Sequence, residues 1–184
     1  MANPFFSVGH SNRSLHEFLE ILRVAEIGIV ADVRRSPGSR TNPQFDQDRL
    51  SRSLAEFQIA YEHLPLLGGR RGKTNSVAPE LNGAWRNSSF HNYADYALSQ
   101  EFQKGLAILI DFGRARRCAM MCSEAVWWRC HRRIVSDHLL ARGEDVCHLM
   151  DGGRAERAVL TSGAVIREDE LVIYPSYPWS MRMS

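Results

Sequence analysis

Lysine is nearly absent from this chain. Of 23 basic residues only Lys73 and Lys104 are lysines, and all the others are arginines. Acidic residues number 21, so the formal net charge is only +2. That balance excludes a partner chosen by global charge alone, such as a strongly basic domain would recruit. Four cysteines (Cys118, Cys122, Cys130, Cys147) are too few for a disulfide-stapled scaffold in 184 residues. No run of eighteen apolar residues exists, which excludes a helical membrane span. The N-terminus lacks the basic and apolar regions of a secretion leader. Internal repeats, low-complexity runs and a domain linker are also missing. These absences lead to the expectation of one α/β domain over residues 1–184, in a reducing cytoplasm and with no membrane partner.

What is present is an alternation of two periods. "FFSVG" is a short apolar run closed by glycine, hence a strand. Leu15, Phe18, Leu19, Leu22 and Ala25 follow at helical spacing, after the capping-box pair Ser14 and Glu17. "IVADV" is a second buried strand. Asp46–Phe57 reads as a helix capped by Asp46, and "AYEHLP" as a third strand. Residues 66–89 form a long irregular stretch of the kind that serves as a binding loop or is disordered. "FHNYADYALSQEFQKGLAILIDFG" reads as helix with a break near Ser99, and "CAMMC" as a fourth strand. "WRCHRRIVSDHLLARG" reads as a helix and "DVCHLM" as a fifth strand. From about Arg154 the pattern is weak, and the aromatics of the C-terminal tail point to packing on the body or on a partner chain. The expected architecture is a three-layer α/β fold. A mostly parallel sheet of about five strands carries helices on both faces.

In such sheets ligands bind beyond the carboxyl ends of the strands. Residues with chemical potential gather there. His10, Ser11 and Asn12 follow the first strand. Asp32 closes the second, followed by Arg34, Arg35, Ser36 and Arg40. Gly68, Gly69, Arg70 and Arg71 follow the third, with Trp85 and Arg86 further along the same loop. Cys122 ends the fourth, followed by Glu124 and then by Cys130, His131 and Arg132.

The blocks "VGHSNRSLHEF", "VADVRRSPGSRTNPQF", "YEHLPLLGGRR", "WRNSSFHNYADY" and "MCSEAVWWRCHRRIVSDHLLARG" resemble, in that order, those of the DUF488 family, over about residues 5–160. The resemblance implies a single α/β domain. It brings no established reaction with it, so chemistry rests on the residues.

Three chemistries compete. Cys122, Cys130 and His131 are ligand types that suit zinc or iron. Seven residues separate the two cysteines, however, where structural zinc sites usually place about two to four. On a helix, Cys130 and His131 would also point about 100° apart. No cofactor is therefore expected, with zinc or iron as the exception to test. Cys122 could instead be a nucleophile activated by a helix N-terminus and nearby arginines. The segment from Cys122 to Arg129 holds no glycine for an anion-binding turn, and a core cysteine is the simpler reading. The third chemistry uses most of the set. Arginine forks bind phosphate in a bidentate manner. Glu124, His10, His131 and Asp32 supply candidate catalytic groups for N-glycosidic or phosphoester hydrolysis. Trp85, Phe90, Trp127 and Trp128 could stack on a base. The favoured expectation is an anionic small molecule, a nucleotide, or nucleic acid, held by Ser11, Asn12, Arg34, Arg35, Ser36, Arg40, Gly68, Gly69, Arg70, Arg71, Trp85, Arg86, Cys122 and Arg132. The alternatives are a binding module without turnover and a Cys/His metal protein. Oligomeric state is open.

Overall fold

The computed structural model describes residues 3–176. Five strands, β1 (Phe5–Gly9), β2 (Ile29–Asp32), β3 (Ala60–His63), β4 (Cys118–Cys122) and β5 (Val146–Leu149), are parallel. A sixth, β6 (Ala155–Arg157), pairs antiparallel with β5, and the spatial order is β3-β2-β4-β1-β5-β6. The weak pattern after Arg154 therefore hides one edge strand and a small hairpin of β7 (Val165–Ile166) and β8 (Val172–Ile173). These pieces are two or three residues long, too short for a period to show. Val172 and Tyr174 are buried in the main core, so the start of the tail packs on the body. Residues 177–184, with the last aromatics of that tail, lie outside the described residues.

Side chains alternate across a strand, and the two faces build two cores. On β4, Cys118, Met120 and Cys122 point to one face, Ala119 and Met121 to the other. The first face is covered by α3 (Ser88–Tyr96), α4 (Gln100–Ala115) and α5 (Arg132–Ala141), which contribute Tyr93, Phe102, Leu106 and Ile134. The second is covered by α1 (Leu15–Val24) and α2 (Gln47–Glu56), which contribute Phe18, Leu22, Leu50 and Leu54. The α1 capping box forms as the sequence implies, with Ser14 and Glu17 bonding reciprocally. Asp46 precedes α2 but makes no cap; its carboxylate accepts from the Ser39 amide at 2.6 Å and ties down the loop after β2 instead. The helix break expected near Ser99 is real, with Ser99 capping α4.

One boundary differs in a way that matters. The helix expected from Trp128 begins only at Arg132. Trp127–Arg129 form a single 3-10 turn, and Cys130 is extended at φ −122°, ψ 149°. The apolar spacing of Ile134, Val135 and Leu139 sets the helix, and nothing in the preceding residues extends it.

The chain leaves β1 and β4, two neighbouring strands, towards helices on opposite faces. Adjacent connections that diverge in this way open a crevice at the carboxyl edge. The β1–β4 ladder is prolonged past the strand ends, with the His10 amide donating to the Cys122 carbonyl at 2.9 Å and the Ser11 amide to that of Ser123 at 3.0 Å. Gly9 is required there. A Cβ on it would stand 1.9 Å from the Glu124 carbonyl oxygen, so only glycine lets the two loops cross.

Candidate functional site

The crevice is a cleft of about 730 Å³. Its walls come from the loops after the first four strands, β1 to β4. The β1 loop supplies His10, Ser11 and Asn12; the β2 loop supplies Arg34, Arg35 and Ser36. Gly69 and Arg70 follow β3, and Cys122, Glu124 and His131 follow β4. Gly38, Ser39 and Thr41 also line it. Of the hydroxyls in that loop the sequence singles out Ser36 and not Ser39 or Thr41, since no period distinguishes one loop hydroxyl from another. A smaller cavity of about 180 Å³ adjoins it, sharing Arg70, Cys122, Glu124 and His131 and adding Phe90, Tyr93, Arg129 and Cys130.

Seven of the expected residues stand elsewhere. Asp32 is fully buried below the cleft. Its carboxylate takes Arg34 Nε at 2.9 Å and Nη2 at 2.6 Å, and the Tyr61 hydroxyl at 2.5 Å. Burial and the Asp32 charge push the Tyr61 phenol up, so Tyr61 is a fixed donor. Arg132 is buried and points under the β4 loop, donating to Cys130 Sγ at 3.3 Å, Ser7 Oγ at 3.4 Å and the Glu124 carbonyl. Gly68 is buried against Arg35, where a Cβ would meet the Arg35 Cα at 2.8 Å. The Arg71 guanidinium lies 3.8 Å from the centre of the Tyr96 ring and bonds the Gly68 and Pro65 carbonyls. Trp85 is stacked on Phe90 at 4.8 Å and edged by Tyr174. Arg40 and Arg86 are exposed outside the lining. Among the other aromatics, Trp127 is stacked on His148 at 4.1 Å.

Within the cleft, Arg34 and His10 are locked. Arg34 Nη2 also donates to the Phe45 carbonyl at 2.8 Å, and Nη1 meets His10 Nε2 at 3.3 Å. A guanidinium has five N–H groups, so one on Nη1 is left for the cleft. His10 Nδ1 donates to the Ser11 carbonyl at 2.8 Å, which makes Nε2 the acceptor from Arg34. The ring is stacked on Phe45 at 4.2 Å. Burial holds its pKa down to about 4, helped by Arg34 and against the Ser11 bond. His10 is therefore a neutral prop for Arg34, with no lone pair spare for a base.

Glu124 differs. It is exposed, one carboxylate oxygen accepts from the Val126 amide at 3.2 Å, and it is in no ion pair among the described residues. Arg35 and Arg70 are exposed too; Arg35 Nη1 donates to the Arg70 carbonyl at 2.6 Å, which aligns the two loops. Ser11 and Arg70 both have positive φ, 49° and 56°. Glu26 and Gln58 share that conformation just past the ends of α1 and α2, where it commonly closes a helix. Ser11 takes it inside the turn closed by the Arg13 amide and the His10 carbonyl at 3.2 Å, whereas Arg70 ends no helix and is held in a costly region at the cleft wall.

The third group is sulfur-rich. One ligand atom each from Cys122, Cys130 and His131 lie within 4.8 Å of one another. The sequence argument that Cys130 and His131 diverge on a helix does not apply, because both precede α5. His131 Nε2 donates to the Val33 carbonyl at 3.0 Å, leaving Nδ1 unprotonated 3.6 Å from Cys130 Sγ. The two thiols are electrically unlike. The hydrogen bond to Cys130, with burial, pushes Cys122 up to about 12. Burial would raise Cys130 as well, but the Cys122 donor and the Arg132 charge, amide and guanidinium hold it down to about 6. A nucleophilic Cys122 activated by a helix N-terminus is thus not what the geometry provides.

No helix among the described residues is long and apolar enough to cross a membrane. No curated protein and no solved structure matches the chain. A family model does: the one described as "Domain of unknown function DUF488" matches residues 14–139, most of the chain and three of the four loops that build the cleft, the β1 loop of His10, Ser11 and Asn12 preceding the match. The chain belongs to the DUF488 family.

Proposed function

We propose that the cleft binds a small phosphate-bearing ligand of about nucleotide size. One observation carries this reading: three arginines, Arg34, Arg35 and Arg70, line the cleft against a single carboxylate, Glu124. Arg34 is pre-set by Asp32, Tyr61 and His10, so little rotamer freedom is lost on binding. Hydroxyl and amide groups of Ser11, Asn12, Ser36 and Ser39 surround the charge and can complete the bonds of a phosphate. The volume of about 730 Å³ falls in the usual range for small-ligand sites.

Titration calorimetry with nucleoside monophosphates and diphosphates beside the parent nucleosides tests the reading. Binding should need the phosphate, weaken as salt rises, and drop at least tenfold in an Arg35→Ala, Arg70→Ala double variant. Both side chains are exposed, so the fold should survive their loss. Equal affinity for nucleoside and nucleotide, or no binding at millimolar ligand, would sink it.

A second reading adds hydrolysis. The unpaired carboxylate of Glu124 at the rim of an arginine-lined cleft suits a base that activates water. Glycoside cleavage by a carboxylate pair is less well supported, because the second acid, Asp32, is sealed against Arg34. In this reading Glu124→Gln binds as the wild type does and turns nothing over. Binding without turnover in the wild type would leave a recognition module.

A further inference from the structure

We propose that Cys122, Cys130 and His131 form a binding site for a soft divalent cation of the zinc class, with a fourth coordination position open to the cleft. The proposal goes beyond the phosphate reading and does not rest on it.

The distances carry the argument. Zinc bonds thiolate sulfur at about 2.3 Å and imidazole nitrogen at about 2.05 Å, so two such ligands on a tetrahedron stand about 3.6 Å apart. Cys130 Sγ and His131 Nδ1 are 3.6 Å apart. Cys122 closes the triangle, with all three ligand atoms within 4.8 Å of one another. They come from the two ends of one connection, Cys122 from the end of β4 and Cys130 and His131 from the turn before α5. The 3-10 turn at Trp127–Arg129 and the extended Cys130 fold the connection back on the strand end, which is why chain spacing concealed the site.

The surroundings suit the ion. Metal-bound histidines usually give their second ring N–H to a carbonyl or carboxylate. His131 gives Nε2–H to the Val33 carbonyl at 3.0 Å, which aims the Nδ1 lone pair at the sulfurs. Arg132 Nε donates to Cys130 Sγ at 3.3 Å and so supports a thiolate ligand. Two thiolates and one divalent cation sum to zero charge, which is compatible with a buried arginine alongside. Gly69 covers the ring edge so closely that a Cβ would come 2.8 Å from Nδ1. Both cavities are lined by Cys122 and His131. The uncovered side of the triangle therefore faces space in which water or a ligand oxygen can bind. Three protein ligands with one open position are the pattern of sites where the metal meets a ligand; closed four-ligand sites are structural.

Binding replaces the thiol protons, which leave to solvent: two S–H bonds break and two metal–sulfur bonds form, with no change of oxidation state. A Cys122–Cys130 disulfide would instead need an oxidant such as a hydroperoxide, and would remove both sulfur ligands.

The test uses the full chain, stripped with a chelator and kept under a mild reductant. It is titrated with cobalt(II) and then with zinc(II). One cobalt per chain is expected, with the intense visible d–d bands of a tetrahedral ion and a sulfur-to-cobalt charge-transfer band, both erased by one equivalent of zinc. Cys122→Ser, Cys130→Ser and His131→Gln should each weaken binding at least tenfold, with circular dichroism as the folding control. A measurement on the unaltered chain covers the case in which a variant misfolds: zinc should slow alkylation of Cys122 and Cys130 while leaving Cys147 unchanged. Weak octahedral cobalt, or zinc that protects neither thiol, would overturn the proposal. Nucleotide affinity is read in a separate titration, so its failure and the failure of the metal site are distinguishable.

Discussion

Gly69 and His131, 62 residues apart in the chain, are in contact: a Cβ on Gly69 would lie 2.8 Å from His131 Nδ1 and 3.2 Å from Cε1. The ring cannot simply retreat, because Nε2 is bonded to the Val33 carbonyl on its far side. Gly69→Ala should therefore cost about 1–3 kcal/mol in urea unfolding and weaken cobalt binding at least tenfold by turning Nδ1 away from the sulfurs. A variant as stable as the wild type with full cobalt affinity would show that the ring has room to move.

Asp32 and Arg34 form the most buried ion pair of the site, at 2.6 Å with side chains 0% and 6% exposed. Removing one partner of such a pair strands the other charge. Asp32→Asn should cost about 3–5 kcal/mol in denaturant unfolding. Tyr61→Phe, which leaves the pair intact and removes one donor, should cost about 1–2 kcal/mol. An Asp32→Asn, Arg34→Met double variant should be more stable than Asp32→Asn alone. The cycle comes out additive only if the pair contributes no coupling, which would contradict its geometry.

At the base of the cleft, Gly9→Ala tests the crossing of the β1 and β4 loops. The clash is with backbone, 1.9 Å from the Glu124 oxygen and 2.8 Å from the Ala125 Cα, and no rotamer relieves it. We expect a loss of about 3 kcal/mol or more. Gly38→Ala, where a Cβ meets nothing within 4 Å, should change stability by less than about 1 kcal/mol. Equal thermal midpoints for the two variants would refute the assignment.

The fold was legible because its strands are short apolar runs and its long helices carry the 3.6 period; β1, β2, β4, α1 and α4 stand where those patterns put them. Polar residues placed after each strand pointed to the cleft, since a parallel sheet brings all those ends to one edge. The division of labour inside it was not legible. Asp32 closes β2 and Glu124 follows β4, yet Asp32 is sealed beneath the cleft by Arg34 and by Tyr61, which the pairing of β2 with β3 brings beside it. Arg132 reads like Arg34 in sequence, but an α5 that starts at Arg132 turns it beneath the loop towards Ser7. Against the Cys122, Cys130 and His131 triangle the sequence sets the seven-residue gap between the cysteines and a helix boundary four residues too early, and a cap without a polar signature gives no clue to that boundary.

His138 gives the last prediction. Its ring is buried in α5 against Phe102, 4.9 Å away, and neither Nδ1 nor Nε2 has a hydrogen-bond partner. Burial, with the nearby Arg142 charge, holds its pKa down to about 3, against 6.5 for a free histidine. In the unfolded chain the ring takes up a proton as pH falls through about 6.5; in the folded protein it stays neutral until about pH 3. Folding therefore loses stability across that window as pH falls, by at most about 4–5 kcal/mol if the whole shift is realised. His10 and His148, also held down to about 4, act in the same direction, so the His138 share must be read by difference. His138→Leu removes two unsatisfied buried polar atoms and keeps the volume. It should raise stability at pH 7 by about 1 kcal/mol or more and should flatten the acid limb of the stability curve between pH 6.5 and 4. Urea unfolding of both proteins at half-unit pH steps measures this. If the two curves run parallel over that range, the histidine is solvated and its depressed pKa is not a folding term.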